Sequence, residues 1–185
     1  MNIDVMNDIA TPELADLPAR AVLTVDGTGA PEAPEFSAAI RALFAVRVAL
    51  GAHEDVPLEG SYHQDGDPLR FDLDNPDGWH WRLLVPAPPQ ATAATVETAG
   101  SRFGAPVHLR HPRAQRVARL LHRGAFADEG PSLATLYGFV ERAGLVPAGP
   151  HTEVYLTDPS GTPPAQLRTL LQVPVSERQR GRAVS

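Results

Sequence analysis

Apolar and polar positions alternate along this chain in two rhythms, one of period two and one of helical period, and the order of the segments repeats. Ala21 to Asp26 is a short apolar run closed by Gly27, Thr28 and Gly29, which predicts a strand and a turn. Phe36, Ile40, Leu43, Phe44 and Leu50 follow at helical spacing. After the breakers between Gly51 and Pro57, extended segments are predicted near Leu58 to His63, Leu69 to Leu73 and Trp79 to Val85, the last stopped by Pro86, Pro88 and Pro89. From Gln115 the order starts again. Arg116 to His122 reads as a strand, Gly124 to Pro131 as a turn, and Leu133, Leu136, Tyr137 and Val140 as a helical stripe that Gly144 ends. A strand around Glu153, a loop from Asp158 to Pro164 and a last strand from about Arg168 to Val175 complete the second copy. Ala91 to Arg102 reads as a connecting helix between the halves.

The segment from Pro150 to Pro159 carries an acid in the middle of a strand. Alternation puts Val154 and Leu156 on one face and Glu153, Tyr155 and Thr157 on the other. Glu is depleted in strands, and beside an aromatic on its own face it suits a cavity that receives a polar or cationic group. The same pattern also describes a solvent-facing acid on an antiparallel sheet. Trp79 and Trp81 share a face of one strand, where they either stack on a planar ligand or fill the core.

Composition narrows the function classes. The 185 residues are 43% hydrophobic and 21% charged, as in a folded globular protein. No apolar run has the length of a membrane span, and the first residues lack the pattern of a signal peptide, so a cytoplasmic protein is expected. With no cysteine, disulfides, thiolate nucleophiles and Cys-ligated zinc are excluded. Every basic residue is Arg, which removes Schiff-base chemistry. The net charge of -6 argues against nucleic acid as a direct partner. The Arg-bearing segments His108 to Arg113 and Arg178 to Arg182 read as a solvated linker and a tail. His108 and His111 lack the further ligands of a metal centre, Asp128 and Glu129 before Pro131 read as favouring a helix start, and neither a metal nor a cofactor is expected.

Several segments taken in order resemble the GyrI-like small-molecule-binding family. They are Ala21 to Gly29 with its helix, Pro57 to Gly60, Trp79 to Trp81, Leu121 to Phe126, Gly149 to Pro159, and Leu167 to Val175. The resemblance implies an α+β fold of two strand-helix-strand-strand modules about a pseudo-twofold axis, with a central ligand groove and an acid near its floor. It implies one domain over residues 17–175, with modules at about 17–88 and 114–175 joined by a helical linker, an extension over 1–16 and a tail over 176–185. Members of this family include gyrase inhibitors, drug sensors and hydrolases that open strained cyclopropane rings. On that resemblance Glu153 is the expected central acid, and if there is turnover Glu153 and Tyr155 are the expected catalytic pair, Glu153 as acid or base and Tyr155 donating to a developing oxyanion or orienting the water, with Glu59 as the counterpart of Glu153 in the other half. Trp79, Trp81, Tyr62 and His122 are the remaining expected ligand contacts, although a lone strand His is also commonly a satisfied, half-buried one. Ser61, Tyr62 and His63 stand where many stand-alone members carry aromatic runs, so this wall is more polar. About 20 residues precede the first expected strand, too few for a DNA-binding helical pair. The reading is a small-molecule binder, monomeric or homodimeric, with a non-catalytic sequestering or gyrase-interacting module as the alternative.

Overall fold

The computed structural model of the chain describes residues 9–64, 78–104 and 106–178, so the segment expected at Leu69 to Leu73 lies outside the described residues. In chain order the elements are β1 (Glu13–Leu17), β2 (Val22–Thr28), α1 (Pro34–Ala49), β3 (Leu58–Gln64), β4 (Trp79–Pro86), α2 (Ala93–Gly100), β5 (His108–Arg110), β6 (Gln115–Arg123), α3 (Gly130–Arg142), β7 (Leu145–Pro147), β8 (Thr152–Tyr155) and β9 (Arg168–Glu177). The strands form one sheet in the order β1-β6-β9-β8-β3-β4-β2-β5, with β7 also on β9. Every pairing is antiparallel.

The repeat in the sequence becomes a repeat in space. From edge to centre the first half runs β2, β4, β3 and the second runs β6, β9, β8, so the halves meet at the antiparallel pair β3–β8. Gly29 and Gly124 end β2 and β6 with φ of 91° and 132°, a left-handed region that disfavours a Cβ. Aligning them lays the ladder Thr24–Leu84–Glu59 on Arg119–Gln172–Thr152. Tyr62 then falls on Tyr155, with the pseudo-twofold axis passing through the opposed pair Gly60 and Glu153.

One face of the sheet is covered by the helices. Leu23, Val25, Leu83 and Val85 meet Phe36, Leu43 and Val46 of α1, while Ala118, Leu120, Leu171 and Val173 meet Leu136 and Val140 of α3. Burying each such aliphatic side chain stabilises the fold by roughly 1.5–3 kcal/mol. Pro34 opens α1 and Pro131 opens α3, where a missing N–H costs nothing, and Gly51 and Gly144 close them with φ of 81° and 73°. The helix α2 starts on a capping box between Thr92 and Thr95. Because α1 packs on β2 and β4 and α3 on β6 and β7, the helix side of β3 and β8 is left between them.

Three short strands depart from the expected order. The extension over residues 1–16 supplies most of β1, which pairs with β6 along Glu13 to Leu17. The segment read as a solvated linker supplies β5, paired to β2 and tied by Arg110 to the Thr24 hydroxyl and Asp26. The third, β7, holds onto the end of β9. Strands of three residues show no alternation of their own; the neighbouring edge dictates them. Among the described residues no helix is long and apolar enough to cross a membrane.

The Trp81 ring lies directly over Gly27, its partner across β2–β4, and a Cβ at Gly27 would fall inside that ring. Gly27→Ala is therefore expected to cost about 1–3 kcal/mol through overpacking, read as a lower midpoint in urea with an unchanged slope. An unchanged midpoint would show that the ring is free to move.

Candidate functional site

At the junction of the two halves, side chains from β3 and β8 project into the space between α1 and α3. Gly60 faces Glu153 across the ladder and has no side chain, and the Tyr62 ring occupies the room this leaves, within 2.7 Å of where a Gly60 Cβ would be. The Tyr62 and Tyr155 hydroxyls are 2.6 Å apart, and the Tyr155 hydroxyl donates to Glu153 Oε2 at 2.9 Å. A phenol has one proton, so Tyr62 donates to Tyr155 and the chain of bonds ends on the carboxylate. His151 Nε2 lies 3.3 Å from Glu153 Oε1. Burial first, and the Glu153 charge second, push the ionisation of both tyrosines upward, which keeps them as proton-bearing donors. The Glu153 side chain is 14% exposed.

A second carboxyl group joins this cluster. Glu129 sits at the N-terminus of α3 without capping it; only 5% of it is exposed, and its side chain turns inward beside Glu153 and Thr169. Burial, then the charge of Glu153, pushes its pKa up to about 9, so Glu129 holds a proton at neutral pH. A helix N-terminus favours a charged carboxylate, but desolvation outweighs that here. Glu129 Oε1 and the Thr169 hydroxyl are both buried without a hydrogen-bond partner.

Aromatic groups border the cluster. Trp79, half-buried, meets Tyr62 edge-on with centroids 6.4 Å apart, and Phe126, 41% exposed, meets Tyr155 edge-on at 5.6 Å. Thus Glu153, Tyr155, Tyr62 and Trp79 come together as the sequence suggests. Glu59 does not join them. It lies on the opposite face of the sheet, paired to Arg20 through two hydrogen bonds of 2.5 and 2.6 Å; across β3–β8 it meets Val154, and the repeat lays it on Thr152. A one-residue offset from Gly60 is enough to change faces. Trp81 is also displaced: it is 4% exposed and packs edge-on against Phe36 at 5.1 Å, as a core residue under α1. His122 is buried with both ring nitrogens engaged, by the Ser132 hydroxyl at 2.9 Å and the Ala125 carbonyl at 3.1 Å, which is the satisfied reading of a strand histidine.

The sequence reading missed Glu129, His151, Phe126 and Thr169. His151 was legible, because it precedes Glu153 by two and so shares its face. Phe126 has no pattern of its own beyond the segment Leu121 to Phe126, and nothing local distinguishes the inward Glu129 from a capping acid.

The opposite face holds an open cleft of about 430 Å³ lined by Asp26, Ser61, His63, His80 and Arg82. Its charges are mutually engaged: Asp26 bonds Arg82 at 2.5 Å and Arg110 at 3.3 Å, and the Arg82 bond first of all holds the Asp26 carboxyl below its usual range. Glu153 at the β3–β8 junction, bonded by Tyr155 and His151 and lying beside the buried Glu129 of α3, is the centre of the candidate site.

The comparisons with known proteins agree with the fold. Among solved structures, an uncharacterized conserved protein from Listeria innocua is 27% identical with a TM-score of 0.78, over 90% of this chain and 92% of that one. A hydrolase from Listeria innocua is 24% identical with a TM-score of 0.73, over 90% and 92%. SAV2435 bound to tetraphenylphosphonium is 12% identical with a TM-score of 0.50, over 89% and 93%. The last two share the fold. No curated protein matches the sequence. The model of the GyrI-like small molecule binding domain matches residues 87–176, and over that stretch the resemblance read from the sequence is borne out.

Proposed function

We propose that the protein binds planar or cationic organic molecules between α1 and α3, with Glu153 as the central anion. One observation carries this reading: a partly exposed carboxylate bonded to Tyr155 and His151, in a surround of Tyr62, Trp79 and Phe126. A carboxylate attracts a cation at short range and aromatic faces add cation–π attraction, while flat apolar walls exclude water from both. Tetraphenylphosphonium bound to a protein of this fold supports a cationic ligand.

The test is affinity for tetraphenylphosphonium in wild type and Glu153→Gln, followed by quenching of Trp79. Removing one partner of a desolvated charge pair typically costs 2–5 kcal/mol, so the variant is expected to bind about thirtyfold more weakly or worse. A neutral aromatic ligand is expected to bind both alike. Equal affinity of the cation for both proteins would place Glu153 outside the site.

A second reading, hydrolysis of an electrophile such as a strained cyclopropane, draws on the proton-bearing Glu129 beside Glu153. One carboxylate takes a proton from water as its oxygen attacks carbon, and the neighbouring acid gives a proton to the leaving group. A protein of this fold is described as a hydrolase. If turnover of such a compound is measured, Glu153→Gln is expected to lower it about 10²-fold. Binding without turnover leaves the non-catalytic, sequestering reading.

A further inference from the structure

The Glu129–Glu153 pair has a consequence for how a cation enters. We infer that binding of an organic cation beside Glu153 expels the proton that the two carboxyl groups share, so that the site exchanges cation for proton. The inference rests on the cation-binding reading above and adds to it the ionic currency of the site.

Two adjacent carboxyl groups in a desolvated setting cannot both ionise without a compensating positive charge, so one proton stays on the pair. Glu129 is the member that retains it, because it is the more enclosed of the two. The pair also has unspent bonding capacity. Glu129 Oε1 lacks a partner, and so does the Thr169 hydroxyl beside it, which is 1% exposed.

The groups that face Glu129 bear on the proton as well. Glu153 and uncharged Thr169 lie against Glu129 and Tyr62 lies near its charge, while Tyr155 and His151 bond Glu153 and His122 of β6 bonds Ser132 on the same helix as Glu129. The tyrosines remain protonated at neutral pH and His122 is held by Ser132 and Ala125. Of these, Glu153 is the one that carries a negative charge, and it is also the one a cation would neutralise.

An opposite charge within a few ångströms lowers a carboxyl pKa by about 1–3 units. Starting from about 9, that brings Glu129 to roughly 6–8 in the complex, and at pH 8 about 0.4–0.9 proton leaves for each cation bound. By reciprocity, losing the proton strengthens cation binding by the same factor. Affinity is then expected to rise about tenfold to a thousandfold between acid and alkaline limits.

Isothermal titration of the intact protein with tetraphenylphosphonium at pH 8 tests this, since that cation carries no proton of its own. Run in phosphate and in Tris, the apparent enthalpies are expected to differ in proportion to the buffers' ionisation enthalpies, with a slope of about 0.4–0.9 proton released. At pH 5 the slope is expected to fall to zero. In Glu129→Gln, what binding remains is expected to exchange no proton at either pH. Binding of the cation with the same enthalpy in both buffers at pH 8 overturns the exchange while leaving the cation site standing. No binding in any buffer overturns the cation site, and the exchange with it.

Discussion

Arg20→Met is expected to cost the fold about 3–5 kcal/mol, because it strands the Glu59 carboxylate with no other counter-charge bonded to it among the described residues. Glu59 is 1% exposed, and both of its oxygens are bonded by the Arg20 guanidinium in a fork. The attraction within a buried pair roughly offsets the desolvation of its members, but removing one member leaves the whole desolvation cost of the other. The loss should read as a lower urea midpoint with an unchanged slope. The double change Arg20→Met with Glu59→Leu is expected to recover most of the stability. A loss below about 1 kcal/mol for Arg20→Met would show that water in the adjoining small cavity of about 80 Å³ solvates Glu59 instead. Because this pair lies on the face away from Glu153, folded Arg20→Met protein is expected to bind tetraphenylphosphonium like wild type.

Glu59 and Glu153 show where sequence reading succeeds and where it stops. Alternation along a strand correctly placed Glu153 with Tyr155 and opposite Val154, since period two is a local property of the backbone. It could not relate Glu59 to Glu153, because which residues of β3 and β8 share a face depends on the register between strands distant in sequence, and Gly60 is the one that meets Glu153. The two-module architecture was legible for a similar reason: Gly29 and Gly124, with helical stripes after each, mark the repeat twice. The edge strands β1, β5 and β7 were not, because pairing with a neighbour and not their own residues makes them strands. Trp81 illustrates a third limit. The pattern gave it the same face as Trp79, and so it has, but that face runs from half-buried Trp79 beside Tyr62 to the core under α1 at Trp81.

Glu129 is the residue whose role had no local signal, and it predicts the second large effect. Its carboxyl group is pushed up to about 9 in the folded chain, against an ordinary value near 4.5 once unfolded, so between those limits the folded state holds a proton that the unfolded state gives up. Stability associated with this group is therefore fully present at pH 4.5 and below, and is lost as pH rises toward 9. Each pH unit inside that window is worth about 1.4 kcal/mol, so from pH 5 to pH 8 the wild type is expected to lose about 4 kcal/mol from this source. Glu129→Gln has a similar shape and no proton to lose. Its stability relative to wild type is therefore expected to improve by about that amount over the same range, measured by urea denaturation at each pH. Parallel stability curves for the two proteins from pH 5 to pH 8 would show that Glu129 ionises in the fold as freely as in the unfolded chain. A difference that opens as pH rises, and closes again when tetraphenylphosphonium is bound, would link the cost of burying Glu129 to the charge the site is built to receive.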